Sequence, residues 1–241
     1  MNNKIIQSFF ASLLLLVTSS VITFQAAALQ LNPLSVIVKP SGGGSRQTFK
    51  VTNESNKPIA VQFNVTTRQQ VNNKEIRRPA DGDFMIYPPQ TIIPPRTTQK
   101  VRIEWLGKKP VPKELAYRLI AKQVYVSLEK QKQSGISMLM TLVGALYVQP
   151  NNTRSNVQVR AVQRHGNKLA VTLSNSGTRH QLMNYATLTL RNGPKVINIK
   201  GKGLIGIEGN NVLAGATKLF FINLPHGFVN GRWTGTIKYP R

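Results

Sequence analysis

The chain has 241 residues, of which 32 are Lys or Arg and 8 are Asp or Glu, so its formal net charge is +24. It contains no cysteine, which excludes cysteine nucleophiles, cysteine-based zinc sites, thiol redox motifs and disulfides. The positive charge favours anionic partners. However, the basic residues are dispersed. The densest stretch, Arg77-Arg78 with Lys74 nearby, is shorter than a basic tail.

The first 28 residues have the features of a secretory signal peptide. Lys4 precedes an apolar run from Ile5 to Ile22, and Ala26-Ala27-Ala28 supplies the small residues of a cleavage site. An uncleaved membrane anchor is the alternative, but Ser, Thr and Gln interrupt the run and weaken it as a spanning helix. We therefore predict cleavage after Ala28 and a mature chain that is not inserted in a membrane.

Alternation of apolar and polar residues with a period of two dominates the rest of the chain. It occurs in 34–38, 49–52, 59–65, 101–105, 169–173, 188–190, 196–199, 219–222 and 233–239. Clusters of Gly, Pro and Asn separate these segments, which are therefore predicted to be half-buried antiparallel strands. The polar segment Pro150 to Thr153 divides the mature chain into residues 29–150 and 151–241. Each part has a size suited to an immunoglobulin-like sandwich, and one continuous sandwich is the alternative.

No catalytic or metal-binding pattern is recognisable. His165, His180 and His226 do not have the spacing of metal ligands, and they are predicted to be surface or turn residues. Gly42-Gly43-Gly44 lacks the lysine and serine of a phosphate-binding loop and is predicted to be a hairpin turn. The sequence therefore predicts a protein without enzymatic activity, metal or cofactor.

Five segments, taken in their order along the chain, carry a resemblance to a known protein family. The first, Asp83 to Pro95, contains two proline pairs, and the second contains Val101-Arg102-Ile103. The complete set is 83–95, 99–103, 114–119, 136–147 and 173–177. In these segments the chain resembles periplasmic pilus (fimbrial) chaperones of the chaperone–usher pathway. The sequence Tyr117-Arg118-Leu119 is similar to their divergent branch, which is called archaic or alternative.

The resemblance implies an all-β protein with two immunoglobulin-like β-sandwich domains in an L-shaped arrangement. It also implies a periplasmic chaperone that binds pilin or fimbrial subunits by donor-strand complementation and delivers them to an outer-membrane usher. The alternative function is a secreted basic β-sandwich module that binds lipopolysaccharide, nucleic acid or glycan. No aromatic platform interleaves the basic residues, which argues against single-stranded nucleic acid. The sequence leaves open whether the free protein caps its donor strand by self-association.

The segment similar to the seventh strand of these chaperones has four apolar residues at a spacing of two, which are Ile136, Met138, Met140 and Leu142. This spacing places the four residues on one face of a strand. The resemblance implies that they fill the groove of the subunit, while Leu139 and Thr141 face the protein's own sheet or core. The spacing also permits the reverse, in which all four residues pack into the protein's own core.

The two cations that bind the subunit's C-terminal carboxylate in typical members are missing. The first strand, Leu29 to Val36, contains no Arg, and Ala145 occupies the position of the seventh-strand Lys. A buried carboxylate needs a cationic partner, and a guanidinium binds it bidentately. Arg118 is therefore the candidate anchor, assisted by Lys122 on the same side of the strand. The alternative for Arg118 is an ion pair with Glu114.

An Arg–Asp–Glu bridge between the two domains is also implied by the resemblance. Glu114 matches this bridge, but Gln149 occupies the position of the Arg. The bridge is therefore incomplete, and the sequence does not predict how the domains are oriented.

Overall fold

A computed structural model describes residues 29–71, 73–125 and 139–240. The predicted signal peptide, Ile136 and Met138 lie outside these residues. Within them the chain is almost entirely β-structure, and the helical segments are short 3-10 turns at Gly43–Ser45, Asp81–Asp83 and Gly201–Leu204. No helix in these ranges is long and apolar enough to span a membrane.

The first half of the described chain forms two main sheets and one hairpin. Its strands are β1 (Leu29–Asn32), β2 (Ser35–Val38), β3 (Arg46–Asn53), β4 (Ile59–Thr67), β5 (Gln69–Val71), β6 (Lys74–Ile76), β7 (Phe84–Tyr87), β8 (Gln90–Ile93), β9 (Thr98–Trp105), β10 (Leu115–Val124) and β11 (Thr141–Val148). One sheet has the order β1-β3-β9-β7, and the other has the order β2-β11-β10-β4-β8. Strands β5 and β6 form a separate antiparallel hairpin.

One hydrophobic core lies between these two sheets. The alternation predicted for β4 is confirmed, because Val61, Phe63 and Val65 are buried while the residues between them are less buried. Burial of each such side chain contributes about 1.5–3 kcal/mol. In the same core, the Phe84 ring packs edge to face against the ring of Trp105 and that of Tyr117.

The second half of the described chain forms a separate core. Its strands are β12 (Val157–His165), β13 (Lys168–Asn175), β14 (Gln181–Leu182), β15 (Thr187–Asn192), β16 (Lys195–Lys200), β17 (Asn211–Val212), β18 (Thr217–Asn223) and β19 (Thr234–Lys238). They pair in the orders β12-β13-β18, β16-β15-β19 and β14-β17. The buried cluster of the first half ends at Val148, and that of the second begins at Val157. The boundary between residues 150 and 151 lies between these clusters and stays a prediction.

A buried asparagine closes the end of a strand in each core. The Asn53 Nδ2 group donates to the backbone carbonyl of Ile93 at 3.0 Å. Asn175 Nδ2 likewise donates to the carbonyl of Val212 at 3.1 Å, and its Oδ1 accepts from the backbone N–H of Gly177. A Cβ atom at Gly177 would lie 2.3 Å from the carbonyl oxygen of Arg154, so this tight turn requires glycine.

Candidate functional site

Strand β11 has neighbours of unequal length on its two edges. On one edge β10 pairs with the whole strand, from Thr141 to Val148. On the other edge β2 pairs in parallel with Ala145–Val148 only. Among the described residues, no strand pairs with this second edge between Thr141 and Gly144. That part of β11 therefore presents backbone groups at which a further strand can add.

The direction of individual hydrogen bonds identifies these backbone groups. The carbonyl oxygen of Met140 accepts a hydrogen bond from β10, whereas the N–H of Ala145 donates to the carbonyl oxygen of Leu34, which precedes β2. Consecutive residues of a strand direct their backbone groups to opposite edges. The N–H and C=O groups of Thr141 and Val143 therefore point to the open edge.

The side chains of β11 alternate between the core and the outer face of the sheet. Leu146 is fully buried in the first core, and Met140 and Leu142, which share its face, are half-buried against that core. Leu139 and Thr141 are exposed. Met140 and Leu142 therefore face the protein's own core side, as the alternative allowed, while the predicted inward direction of Leu139 and Thr141 is corrected.

A cluster of three arginines around one carboxylate lies on the outer face of the same sheet. Glu75, in β6, accepts hydrogen bonds from Arg118 Nε at 3.0 Å and from Arg118 Nη2 at 2.6 Å, so the contact is bidentate. The Nε groups of Arg68 and Arg77 also donate to Glu75, at 2.8 and 2.6 Å. The cluster therefore has two more positive charges than negative ones.

The cluster is partly removed from solvent. The side chain of Arg68 is 9% exposed, that of Arg118 18% and that of Glu75 23%. Burial alone would raise the pKa of Glu75, but hydrogen bonds from Arg118 and Arg77 and the neighbouring positive charges outweigh this effect and lower it to about 2. Burial, followed by the charge of Arg68, lowers the pKa of Lys218 nearby. The Glu75 carboxylate therefore stays ionised over the neutral range.

Arg118 lies opposite the position where the open edge ends and the pairing with β2 begins. In the β10–β11 register it is directly opposite Ala145, which is also the first residue of β11 that pairs with β2. Typical members of the family that the sequence resembles have their lysine at the position of Ala145. In this chain the neighbouring strand β10 supplies a cation, Arg118, directly opposite that position.

Tyr147 connects the arginine cluster to the second half of the chain. Its hydroxyl oxygen accepts hydrogen bonds from Arg68 Nη1 at 2.9 Å and from Asn211 Nδ2 at 2.7 Å. Its ring stacks on that of His180, with centroids 4.0 Å apart. The residue is buried, and this burial is the main reason that the pKa of Tyr147 is raised. The hydrogen of the hydroxyl group is not used in either contact.

Glu114 forms a second contact between the two halves. One of its carboxylate oxygens accepts from the backbone N–H of His180 at 3.0 Å and lies 2.7 Å from His180 Nδ1, while the other accepts from Gln149 Nε2 at 2.7 Å. The Glu114 side chain is 1% exposed and that of His180 is 17% exposed. His180 therefore belongs to a contact between the halves, which corrects its prediction as a surface or turn residue. The alternative pair of Arg118 with Glu114 is also wrong, because Arg118 binds Glu75.

The β5–β6 hairpin, which carries Glu75, is hydrogen-bonded to the second half at two points. Gln70 Nε2 donates to the carbonyl of Asn211 at 3.1 Å, and Gln70 Oε1 accepts from the N–H of Leu213 at 3.3 Å. Asn73 makes a similar reciprocal pair with the backbone of Leu219, at 2.9 and 2.6 Å. The hairpin is therefore fixed across the space between the two sandwiches.

The sequence profile of pili and flagellar-assembly chaperones, PapD N-terminal domain, matches residues 28–154, which is more than half of the chain. The chain belongs to this chaperone family. No curated protein matches it in sequence.

Solved structures of low sequence identity share its fold. A chain in the CsuC–CsuE chaperone–tip adhesion subunit complex of Acinetobacter baumannii is 18% identical with a TM-score of 0.58, and the match covers 84% of this chain and 90% of that one. The Escherichia coli chaperone DraB is 20% identical with a TM-score of 0.53, and the match covers 83% of this chain and 88% of that one. A chain in the Salmonella enterica SafA pilin–SafB chaperone complex is 21% identical with a TM-score of 0.53, and the match covers 83% of this chain and 86% of that one. The prediction of an all-β chaperone with two immunoglobulin-like sandwiches is confirmed.

The predicted site residues of the chaperone occupy different parts of this region. Arg118 lies in the arginine cluster, but Lys122 is exposed and pairs with Thr141 in the register. Four residues along a strand correspond to about 13 Å, so these two cations do not converge on one point. Their roles, and that of the apolar row that begins at Ile136, stay predictions.

Sequence reasoning missed Arg68, Glu75 and Tyr147 as members of the site. The densest charged stretch contained one signal, because Glu75 is an acid between Lys74 and Arg77. Arg68 follows a strand as many surface arginines do, and nothing in its local sequence predicts its burial. The pairing of β10 with β4 and β11 brings Arg68 and Tyr147 near Arg118, and the β5–β6 hairpin adds Glu75.

Proposed function

We propose that this protein is a periplasmic chaperone that captures pilus subunits by donor-strand complementation along the open edge of β11. Membership of the pilus-chaperone family and the uncovered edge at Thr141–Gly144 support this function. A subunit whose sandwich lacks one strand exposes an apolar groove and an unpaired edge, and an added strand covers both. The backbone groups of Thr141 and Val143 would supply the hydrogen bonds of this added strand.

The single observation that carries the proposal is the coincidence of the end of the open edge with a partly buried cation. Arg118 lies opposite Ala145, where the pairing of β2 with β11 begins and the open edge ends. A subunit strand that pairs with β11 could therefore place its terminal carboxylate at Arg118. Because a guanidinium forms two parallel hydrogen bonds with a carboxylate, this contact would fix the register of the subunit.

The apolar row that begins at Ile136 would supply the side-chain contacts. Met140 and Leu142 are only half-buried against the first core, so both keep surface that an incoming sandwich can cover. In this arrangement they extend the chaperone's own core into the subunit groove. Each buried side chain of this kind contributes about 1.5–3 kcal/mol before the entropy cost of association. Met is also flexible enough to fit related grooves.

Cleavage after Ala28 would release the chain into the periplasm, and an outer-membrane usher would accept the captured subunit. Lys122, exposed farther along β10, would attract acidic groups of the approaching subunit over about one Debye length. Neither the family nor the solved structures favour the alternative of a basic module for lipopolysaccharide, nucleic acid or glycan.

Native mass spectrometry of the mature chain, co-expressed with a pilin encoded beside it, tests this function. We expect a one-to-one complex that persists in high salt. Arg118→Gln should weaken the complex at least about tenfold, as expected for loss of a charge-assisted hydrogen-bond pair. The matched control is Arg102→Gln, since Arg102 is an exposed arginine on the other sheet. A bare wild-type protein, or equal loss in both variants, would contradict the proposal.

A further inference from the structure

We infer that Glu75 determines the specificity of the anchor: its carboxylate occupies Arg118 in the free chaperone, and the terminal carboxylate of a subunit must displace it. This inference rests on the proposed function. It assigns a role to the β5–β6 hairpin, which lies outside the donor strand and its neighbours in the sheet. The free protein and the loaded protein would then differ in which carboxylate Arg118 binds.

The contact between Glu75 and Arg118 has the geometry expected of a terminal carboxylate on an arginine. Both oxygens of Glu75 take part, and they accept from Nε and Nη2 on one edge of the guanidinium. This edge offers two parallel donors, which is the arrangement that binds a carboxylate most strongly. A subunit carboxylate that needs the same edge therefore competes directly with Glu75.

Electrostatics explain why the free chaperone needs this internal carboxylate. Arg68 and Arg118 are both largely removed from solvent and lie on the same Glu75 oxygen. Two neighbouring buried cations without an anion are costly. Glu75 supplies the anion, and the excess positive charge of the cluster leaves the site attractive for another one.

Two buried polar atoms lie beside the cluster. Thr66 Oγ1 and Asn211 Oδ1 are buried and have no hydrogen-bond partner among the described residues. Thr66 lies directly opposite Arg118 in the β4–β10 register, and Asn211 donates to Tyr147. Buried polar atoms are normally satisfied, so the Thr66 hydroxyl is a donor without a partner in the described chain, on the strand beside Arg118.

The exchange requires only a movement of the Glu75 side chain. The hairpin backbone is held to the second sandwich by the reciprocal bonds of Gln70 and Asn73. The Glu75 side chain is more exposed than those of Arg68 and Arg118, so it can rotate toward solvent while the hairpin stays in place.

The competition selects carboxylates that are attached to a docked strand. A free carboxylate must displace Glu75, which is covalently held at the site and so has a high effective concentration. A subunit that pairs with β11 gains the same advantage, because its carboxylate is delivered to the site by the strand. Glu75 therefore weakens the binding of small anions and free peptide termini at Arg118, despite the charge of +24.

A titration with N-acetylglycine, and with its C-terminal amide as the uncharged counterpart, tests the inference. Binding is measured by NMR at the Nε–H groups of the arginines. We expect Glu75→Gln to bind N-acetylglycine at least about tenfold more tightly than wild type, as expected for removal of a competing ion pair, with no binding of the amide. Equal or weaker binding by Glu75→Gln would overturn the inference, because Glu75 would then only orient the arginines.

Two further variants separate the alternatives. Glu104→Gln is the matched control, since Glu104 pairs with Arg46 on the other sheet, and it should leave the titration unchanged. Glu75→Gln/Arg118→Gln should lose the gained binding, and retained binding would show non-specific attraction and overturn the inference. Thermal unfolding of each variant verifies the fold, and Glu75→Ala replaces Glu75→Gln if that variant is unfolded.

Subunit capture distinguishes this inference from the proposed function. If wild type forms the one-to-one pilin complex while Glu75→Gln gains no affinity for N-acetylglycine, only the role of Glu75 is wrong. If neither chain captures the pilin, the proposed function itself fails.

Discussion

The two halves of β11 differ in what covers them, although they belong to one continuous strand. Ala145–Val148 lies between β10 and β2, and the second sandwich contacts it through Tyr147. Thr141–Gly144 has a strand on one edge only, among the described residues. The same backbone is therefore internal structure in one half and a binding edge in the other. What decides between the two roles is the length of the neighbouring strand.

The short reach of β2 follows from the path of the first segment of the chain. β1 pairs with β3 in one sheet, whereas β2 pairs with β11 in the other, so the chain changes sheets around residues 33–34. Only four residues are then left to cover β11. An N-terminal strand that stayed in the second sheet would close the edge.

The largest expected difference between the halves is in stability. Leu146→Ala removes a fully buried side chain and should lower the free energy of unfolding by about 2–5 kcal/mol. Leu142→Ala, on the same face but half-buried, should cost about half as much and should also weaken subunit capture. Urea unfolding of both variants measures the first effect. Equal losses of stability would show that Leu142 contributes as much to the core as Leu146 does, which would contradict the difference between the two halves.

A pair of proline variants should separate folding from capture. The N–H of Val143 points to the open edge, so Val143→Pro removes no hydrogen bond of the chaperone itself and should abolish the one-to-one complex in a folded protein. The N–H of Leu142 points to β10, so Leu142→Pro should lower stability by about 1–3 kcal/mol more than Leu142→Ala does. The measurements are native mass spectrometry with a co-expressed pilin and circular dichroism. Undiminished capture by folded Val143→Pro would sink the edge assignment.

The contact of the covered half with the second sandwich should have a smaller effect. Tyr147→Phe leaves the donors of Arg68 and Asn211 without their acceptor, and should cost about 1–2 kcal/mol. The control is Tyr87→Phe, because Tyr87 is exposed on β7. Unfolding in urea gives both values. A cost for Tyr147→Phe no larger than that of the control would mean that the contact adds no stability.

A pH-dependent effect is expected at the junction of the halves, where Glu75 binds Arg118. The pKa of Glu75 is about 2 in the folded protein and 4.5 ordinarily. Because the folded value is lower, its ionised form stabilises the fold above pH 4.5, and this contribution is lost as the pH falls from about 4.5 to about 2. In Glu75→Gln this part of the acid dependence should be absent. Identical unfolding free energies against pH in both chains would contradict the assignment.

The strands could be predicted from sequence because burial alternates along them. The period of two in β4 and β9 has a direct cause in the two faces of a sheet. The same rule fails for β11. Residues 139–143 are apolar on both faces except for Thr141, so the pattern does not fix which face points to the protein's own core, and the predicted inward direction was wrong for Leu139 and Thr141.

The candidate site was less predictable because it depends on pairing between distant segments. Arg118 could be selected from the sequence. The lysine expected at Ala145 is absent, so another cation was needed to bind the subunit's terminal carboxylate. Glu75, the partner of Arg118, could not be selected, because the β5–β6 hairpin is brought to β10 by contacts with Asn211, Leu213 and Leu219, far along the chain. His180 was misjudged for the same reason, since its partner Glu114 is 66 residues away.

The hydrogen bonds that fix the β5–β6 hairpin to the second sandwich make the proposed anchor a composite of both sandwiches. Arg118 comes from the first, Tyr147 is held by Asn211 of the second, and Glu75 is positioned by a hairpin bonded to both. A change in the angle between the sandwiches would therefore alter how strongly Arg118 binds any carboxylate. A partner that binds only the second sandwich could therefore weaken the binding of a subunit to the first sandwich without contacting that subunit.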